Sequence, residues 1–238
     1  MPKVVGIELP TGKRLLMEAA LRLATATRSI AVLSLREISR EAGLNHNTFY
    51  RHFKTKDDLG LAVINYVTEE LRVKLHSLRY EAAENEAKKL HKRSELNELE
   101  FTLLKARKVI EETLRLFFDY VTEHPHAFIV GVTELHGSSK VVRKALANAL
   151  DDFANDMTDD IMALGLVPSL EKETVKGISA MIIPHLFNQS LIYLEFPKRR
   201  AEICSEGQTL MMTLFAGALA LENNDIEVWK AIPILKEK

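Results

Sequence analysis

The side chains best suited to chemistry lie in one short segment, residues 45–52, which reads NHNTFYRH. This segment is rich in hydrogen-bond donors and contains no carboxylate, so it can approach a polyanion without charge repulsion. Asparagine can pair with adenine and arginine with guanine in a DNA major groove. The polar members that share these properties are Asn45, His46, Asn47, Thr48, Tyr50, Arg51 and His52.

Two short predicted helices must position this segment. Ser34 and Glu37 have the spacing of a capping box, in which each side chain accepts the other residue's backbone N–H. Gly43 stands where the first helix must end and the chain must turn, because glycine tolerates a positive φ. The second helix is predicted from about Asn45 to His52. The two helices with this turn predict a helix-turn-helix.

Apolar residues at helical spacing give both short helices an inner face. They are Leu35, Ile38 and Ala42 on the first helix, and Leu44, Phe49 and Phe53 around the second. Phe49 and Phe53 are therefore expected in the core whether or not the polar face binds DNA.

The same segment resembles the TetR-type transcriptional regulators. The resemblance rests on Ala42-Gly43, on the TFYRHF run at 48–53, and on the KTKDDL run at 54–59. It covers residues 12–70, whereas the rest of the chain resembles the family only in being helical and of suitable length.

This resemblance implies roles for individual residues. His46, Asn47 and Thr48 match positions that face bases or the DNA backbone, whereas Tyr50, His52 and Lys56 match positions that grip phosphates. Arg36 matches a position that reaches the groove or its rim. The alternative for each is a solvent-exposed polar residue without a DNA contact. The expected DNA-binding set is Arg36, Asn45, His46, Asn47, Thr48, Tyr50, Arg51, His52 and Lys56.

Composition and charge agree with this interpretation. Of the 238 residues, 47% are hydrophobic and 27% charged, and seven prolines and ten glycines with no sustained alternation predict an all-α globular protein. Residues 1–56 hold ten basic and four acidic residues, a net charge of +6, so the remainder carries −7. A basic head on an acidic body suits a nucleic-acid-binding head.

The predicted organisation is a helix-turn-helix DNA-binding domain at 1–56 and a helical effector-binding and dimerisation domain at 57–238. A loose arm precedes a first helix at 11–27, and a fourth helix starts near Lys56. The polar stretch 78–99 is expected to be an exposed helical extension or a mobile connection. The body helices are expected at 101–123, 127–135, 139–164, 170–195 and 198–223. Pro184 should kink or break the fourth of these, and the tail 224–238 has little pattern.

Two tasks are predicted for the body. The last two long helices, with small residues such as Ala216 and Gly217, suit pairing of two copies across a two-fold axis, as two DNA half-sites require. The family resemblance also implies that the body binds a small, often apolar effector. Aromatic and Met residues at this spacing are, however, more often plain core. The candidate effector-binding residues are Phe117, Phe118, Phe128, Met157, Ile161, Met181 and Phe187.

A narrower resemblance connects SLRE at 34–37, FYRHF at 49–53 and DLGL at 58–61 with the FabR/DesT-like branch, whose members sense acyl chains. The expected function is a homodimeric, ligand-responsive transcriptional regulator that binds double-stranded operator DNA and represses transcription. The alternative is a DNA-binding adaptor that recruits a protein partner and senses no small molecule.

Other classes find little support. The chain has no GxSxG, glycine-rich phosphate loop or Cys/His pairing, so we expect no enzyme and no cofactor. The acids Asp151, Asp152, Asp156, Asp159 and Asp160 and the histidines near Glu134 lack dedicated metal-ligand spacing, and a solvated stripe is expected. Cys204 cannot form an internal disulfide because it is the only cysteine. The chain has no signal-peptide or membrane-spanning stretch, which predicts a cytoplasmic protein.

Overall fold

The computed structural model describes residues 10–27, 29–93 and 95–222, and all regular structure within them is helical. The all-α prediction is confirmed. The helices are α1 (Thr11–Thr27), α2 (Leu35–Glu41), α3 (His46–His52), α4 (Lys56–Leu90), α5 (Glu98–Glu123), α6 (Pro125–Glu134), α7 (Lys140–Ala163), α8 (Lys172–Glu195) and α9 (Arg200–Glu222). A single 3₁₀ turn, Pro197–Arg199, precedes α9. The expectations for the arm 1–9 and the tail from 223 lie outside the described residues.

The chain divides into two compact units. The first comprises the described residues up to Lys74 together with 118–152 and 187–197. The second comprises 75–117, 153–186 and the described residues from Lys198 onward. The predicted functional division after residue 56 is a different kind of boundary and stays a prediction.

The core of the first unit forms around the three N-terminal helices. Leu16 of α1, Ile38 of α2 and Phe49 of α3 are each fully buried, and Leu59 of α4 joins them. Val130 of α6 belongs to the same apolar cluster. Burying these side chains stabilises the fold by about 1.5–3 kcal/mol each, which explains why helices as short as α2 and α3 persist although they would not form alone.

In the second unit, the polar stretch that begins at residue 78 continues helix α4 as far as Leu90. Leu75, Arg79, Ala82 and Leu90 are buried, and they recur at the spacing of one helix face. Most of the other described residues between 78 and 93 are exposed, so the expected helical extension is confirmed as far as Leu90. Its one buried face consists mainly of alanines and Arg79, which indicate burial only weakly in a sequence.

Helix α8 continues through Pro184. A proline inside a helix costs about 3 kcal/mol, since it removes one backbone hydrogen bond and crowds the preceding turn. Ile182 and Leu186, two positions before and after it, are buried. Their burial offsets this cost, so the predicted break does not occur.

Candidate nucleic-acid interface

The first of the two short helices begins with the predicted capping box. Ser34 Oγ accepts the Glu37 backbone N–H at 3.2 Å, and the Glu37 carboxylate accepts the Ser34 N–H at 2.8 Å. Hydrogen bonding lowers the pKa of Glu37 below its ordinary value, and the bond from the Ser34 backbone N–H has the largest effect. The capping box thereby fixes where α2 begins and the angle at which the chain enters it.

The turn between the helices follows the predicted pattern. Gly43 has φ +66°, a conformation that a side chain with a Cβ adopts only with strain. The Leu44 N–H donates to the Ser39 carbonyl at 2.9 Å, which closes the end of α2. Asn45 then caps α3 by accepting the Asn47 N–H at 2.9 Å. The Asn45 side-chain oxygen is therefore engaged, and its NH₂ group is the part left to meet a partner.

Helix α3 is anchored by its two aromatic core residues. Phe49 is fully buried and Phe53 nearly so, with ring centroids 5.6 Å apart. Tyr50 lies edge-on to Phe49 and is 56% exposed. Anchoring one face of such a short helix rigidly presents the other face, as a DNA-reading helix requires.

The expected DNA-binding residues lie on α2, at the N-cap and along α3, and at the start of α4, and they differ in exposure. The exposed ones are Arg36, Asn45, Asn47, Tyr50 and Arg51, and the half-buried ones are His46, Thr48, His52 and Lys56. Within the described residues, neither Arg36 nor Arg51 has an ion-pair partner, so both cations are available to phosphates or base edges.

The two histidines make internal contacts. The His46 ring meets Tyr50 edge-on at 5.5 Å, and its buried Nδ1 has no partner among the described residues. His52 packs against Gly12 of α1, where an added Cβ would lie 2.8 Å from its Nε2. His52 therefore links α3 to α1 in addition to any contact with DNA.

Lys56 has a structural role that the sequence did not indicate. Its ammonium donates to the backbone carbonyls of Ala31 and, at 3.0 Å, of Leu33. These carbonyls belong to the loop that leads into α2. An ammonium has three protons, so at most one remains for the phosphate contact that family resemblance implies.

Glu134 of α6 accepts hydrogen bonds from the donors of the same loop. Its Oε1 accepts the Ser29 hydroxyl at 2.9 Å and the Ile30 N–H at 2.7 Å, and the residue is 2% exposed. The loop Ser29–Leu33 is thus held by a cation on its carbonyls and an anion on its donors. We call it the clamped loop. It projects Val32, which is 68% exposed, into solvent.

The sequence did not predict the contacts of Lys56 and Glu134 with the clamped loop, nor one helix cap. Thr55 and Asp58 form a second reciprocal cap, with bonds of 2.9 and 3.1 Å, at the start of α4. Its spacing is a recognised signal that could have revealed it. Glu134 had no such signal, since its partners lie 104 and 105 residues away.

The expected effector-binding residues separate into different places. Met157 and Ile161 line an apolar cavity of about 50 Å³ in the second unit. Phe128 and Phe187 line one of about 60 Å³ in the first unit. Phe117 lines neither, and Met181 is 58% exposed.

Phe118 is buried against Tyr193, with ring centroids 4.3 Å apart, and lines neither of these cavities. Stacking of this kind explains its aromatic character without a ligand. The ligand-binding assignments stay predictions.

The acidic helix α7 departs from a solvated stripe at one position. Asp160 is 3% exposed and pairs with Arg79 at 2.8 Å and with His76 at 2.7 Å. Among the described residues, no group of three metal-ligating side chains converges. Over the same residues, no helix has the length and hydropathy needed to cross a bilayer.

Comparison with known proteins agrees with this geometry. Residues 16–63 match the family model of bacterial regulatory proteins of the tetR family. These residues include α2, the turn, α3 and the start of α4, so the family match falls on the segment that carries the candidate interface.

The fold as a whole is similar to solved regulators. FadR from Bacillus halodurans, a fatty acid degradation regulator, gives a TM-score of 0.64 at 14% identity over 88% of this chain and 97% of its own. A protein from Syntrophomonas wolfei assigned to the TetR family gives 0.63 at 14% identity, over 86% and 95%. A protein from Pseudomonas aeruginosa PAO1 assigned as a transcriptional regulator gives 0.61 at 16%, over 91% and 97%. The chain therefore has a fold similar to that of these solved regulators.

Proposed function

We propose that this chain is a homodimeric, ligand-responsive transcriptional repressor that acts on operator DNA in the cytoplasm. The observation that carries the proposal is the carboxylate-free, exposed side of α3, rigidly anchored by Phe49 and capped by Asn45. A surface of this kind loses no binding energy to repulsion by phosphates.

Within this proposal, the first turn of α3 reads sequence and its surroundings fix position. Asn47 and Thr48 reach base edges. Tyr50 and Arg51 contact the phosphate backbone, which carries most of the affinity but little sequence information, and Arg36 reaches the groove or its rim.

The test is selection of binding sites from random duplex DNA, repeated with variants. Asn47→Ala should change the enriched bases, whereas Tyr50→Ala should weaken binding to all sites and leave the preferred sequence unchanged. Asn155→Ala is the matched control, because Asn155 is an exposed asparagine on α7. Unchanged affinity and preference in both α3 variants would remove this surface from DNA recognition.

Dimerisation is proposed through α8 and α9. Both helices expose apolar or small side chains in the second unit, including Met181 at 58%, Leu221 at 54%, and Ala216 and Gly217. Small residues permit close helix approach, and an isologous pair of copies matches an inverted-repeat operator. Met181→Asp should shift sedimentation velocity toward the monomer, whereas Lys176→Asp, an exposed polar position on α8, should not.

Ligand response is supported by the apolar cavities and fits the description of FadR as a fatty acid degradation regulator. An acyl-chain effector is accordingly the first class to test. Such a ligand would act by population shift, which requires different affinities for two arrangements of the protein. A compound that binds but leaves operator affinity unchanged would favour the adaptor alternative for that compound.

A further inference from the structure

The cavity in the second unit has one charged wall. Arg79 of α4 lines it and is 4% exposed, whereas the remaining lining is almost entirely aliphatic, aromatic or methionine. Thr113 supplies the other hydrogen-bonding side chain. A buried guanidinium beside an apolar cavity is a group that can orient a ligand, because polar groups in such sites are few and fix the ligand's direction.

The charge of Arg79 is already balanced. Its Nη1 donates to Asp160 Oδ2 at 2.8 Å, and both side chains are 5% exposed. Asp160 Oδ1 lies 2.7 Å from Nδ1 of His76, a side chain that is 59% exposed. A guanidinium has five N–H groups, so Arg79 retains donors after it has paired with Asp160.

We propose that this cavity binds an apolar chain whose end carries an uncharged hydrogen-bond acceptor, such as a ketone, ester, amide or thioester carbonyl, which accepts from Arg79. The inference rests on the proposed ligand response and names its ligand class. A free carboxylate would add an uncompensated negative charge to a balanced, buried pair, and an ammonium would face the guanidinium with like charge.

The cavity must widen to admit such a chain. Its volume of about 50 Å³ has space for only a few water molecules. Met157, Met211 and Met212 line it, and methionine side chains change conformation at low cost because they are unbranched. The ligand therefore displaces methionine side chains while Arg79 stays fixed by Asp160.

The experiment measures displacement of the neutral fluorescent probe N-phenyl-1-naphthylamine from the full chain after ligand extraction, at pH 8. The competitors have eight carbons each: octane, 2-octanone, octanoate and octylamine. We expect 2-octanone to displace the probe at a concentration at least tenfold lower than either ion and severalfold lower than octane.

Two variants locate the binding. Ala106→Leu fills the cavity, where Ala106 is 7% exposed, and should abolish displaceable probe binding. Arg79→Met combined with Asp160→Asn removes the pair without leaving a buried charge, and should erase the preference for 2-octanone over octane. Circular dichroism melting verifies that each variant is folded, and Arg79→Lys serves as a milder second substitution that should reduce the preference.

Three results would overturn the proposal: tighter binding of octanoate or octylamine than of 2-octanone, equal binding of octane and 2-octanone to the unaltered chain, or unchanged binding to Ala106→Leu. Operator affinity is measured separately by site selection. Suppose the unaltered chain enriches no DNA sequence but shows the expected ligand preference. That result would refute the proposed function and leave the cavity assignment standing.

Discussion

Replacing Lys56 by methionine separates two roles that a lysine beside a DNA-reading helix can have. The substitution keeps most of the aliphatic stem and removes the ammonium that donates to the Ala31 and Leu33 carbonyls. If those bonds are the main role of Lys56, the protein should lose stability. If phosphate binding is the main role, it should lose DNA affinity with little change in stability.

The expected loss follows from the two bonds. A hydrogen bond to a charged group contributes about 1.5–3 kcal/mol when its partner is fully desolvated. Lys56 is only half-buried, so water can rehydrate part of the freed carbonyl surface. We therefore expect a loss of about 2 kcal/mol in the free energy of unfolding, which is less than two fully desolvated bonds would contribute. For a chain of this size, that lowers Tm by about 4–8 °C.

Lys54→Met is the matched control, two residues away. The Lys54 side chain is exposed and has no partner among the described residues. Its loss should change the unfolding free energy by no more than about 0.5 kcal/mol. If Lys54 contacts a phosphate, the slope of log affinity against log salt should fall by about 0.9.

Both variants are compared by circular dichroism melting at one protein concentration and by fluorescence anisotropy titration of the selected operator at several salt concentrations. An unchanged Tm for Lys56→Met, together with a salt slope reduced by about 0.9, would refute the structural role. That result would return Lys56 to the phosphate-contacting set.

Other substitutions test further parts of the same unit. Glu134→Ala should lower the free energy of unfolding by about 1–3 kcal/mol, since the buried Ile30 N–H loses its acceptor. Glu134→Gln should lower it less, and chemical denaturation measures both variants. Gly43→Ala should cost about 1–2 kcal/mol through strain at φ +66°, and Gly43→Asn less; equal stability of all three chains would contradict the strain argument. Because the folded pKa of Glu37 is depressed, its contribution is present above the unfolded pKa and is lost as pH falls through the folded pKa. The stability difference between the unaltered chain and Glu37→Gln should therefore shrink below about pH 4, and a pH-independent difference would contradict it.

Local signals explain what the sequence predicted well. The cap at Ser34, the turn at Gly43 and the burial of Phe49 depend on residues within a few positions of one another. Each has one dominant physical reason, and neighbouring signals agree. For the same reason, the other helix bounds were predicted to within a few residues, whereas the end of α4 at Leu90 was not predicted.

Long-range pairing explains what the sequence did not predict. Asp160 looked like one of several solvated acids on α7, but it is buried because Arg79 of α4 balances its charge. Arg79 itself stands in a stretch whose polarity suggested exposure. Neither residue carries a mark of its partner, since the two are 81 residues apart.

The clamped loop shows why residue type alone misleads near a binding surface. A lysine beside a recognition helix suggests phosphate, and a glutamate near histidines suggests a metal, yet both charges here meet backbone groups. The carbonyls of Ala31 and Leu33 need a donor, whereas the Ile30 N–H needs an acceptor. The two residues of a salt bridge can be swapped, acid for base, but a backbone carbonyl always needs a donor and a backbone N–H always needs an acceptor. The clamp therefore constrains the signs of Lys56 and Glu134 independently, and this requirement arises before any contact with DNA is considered.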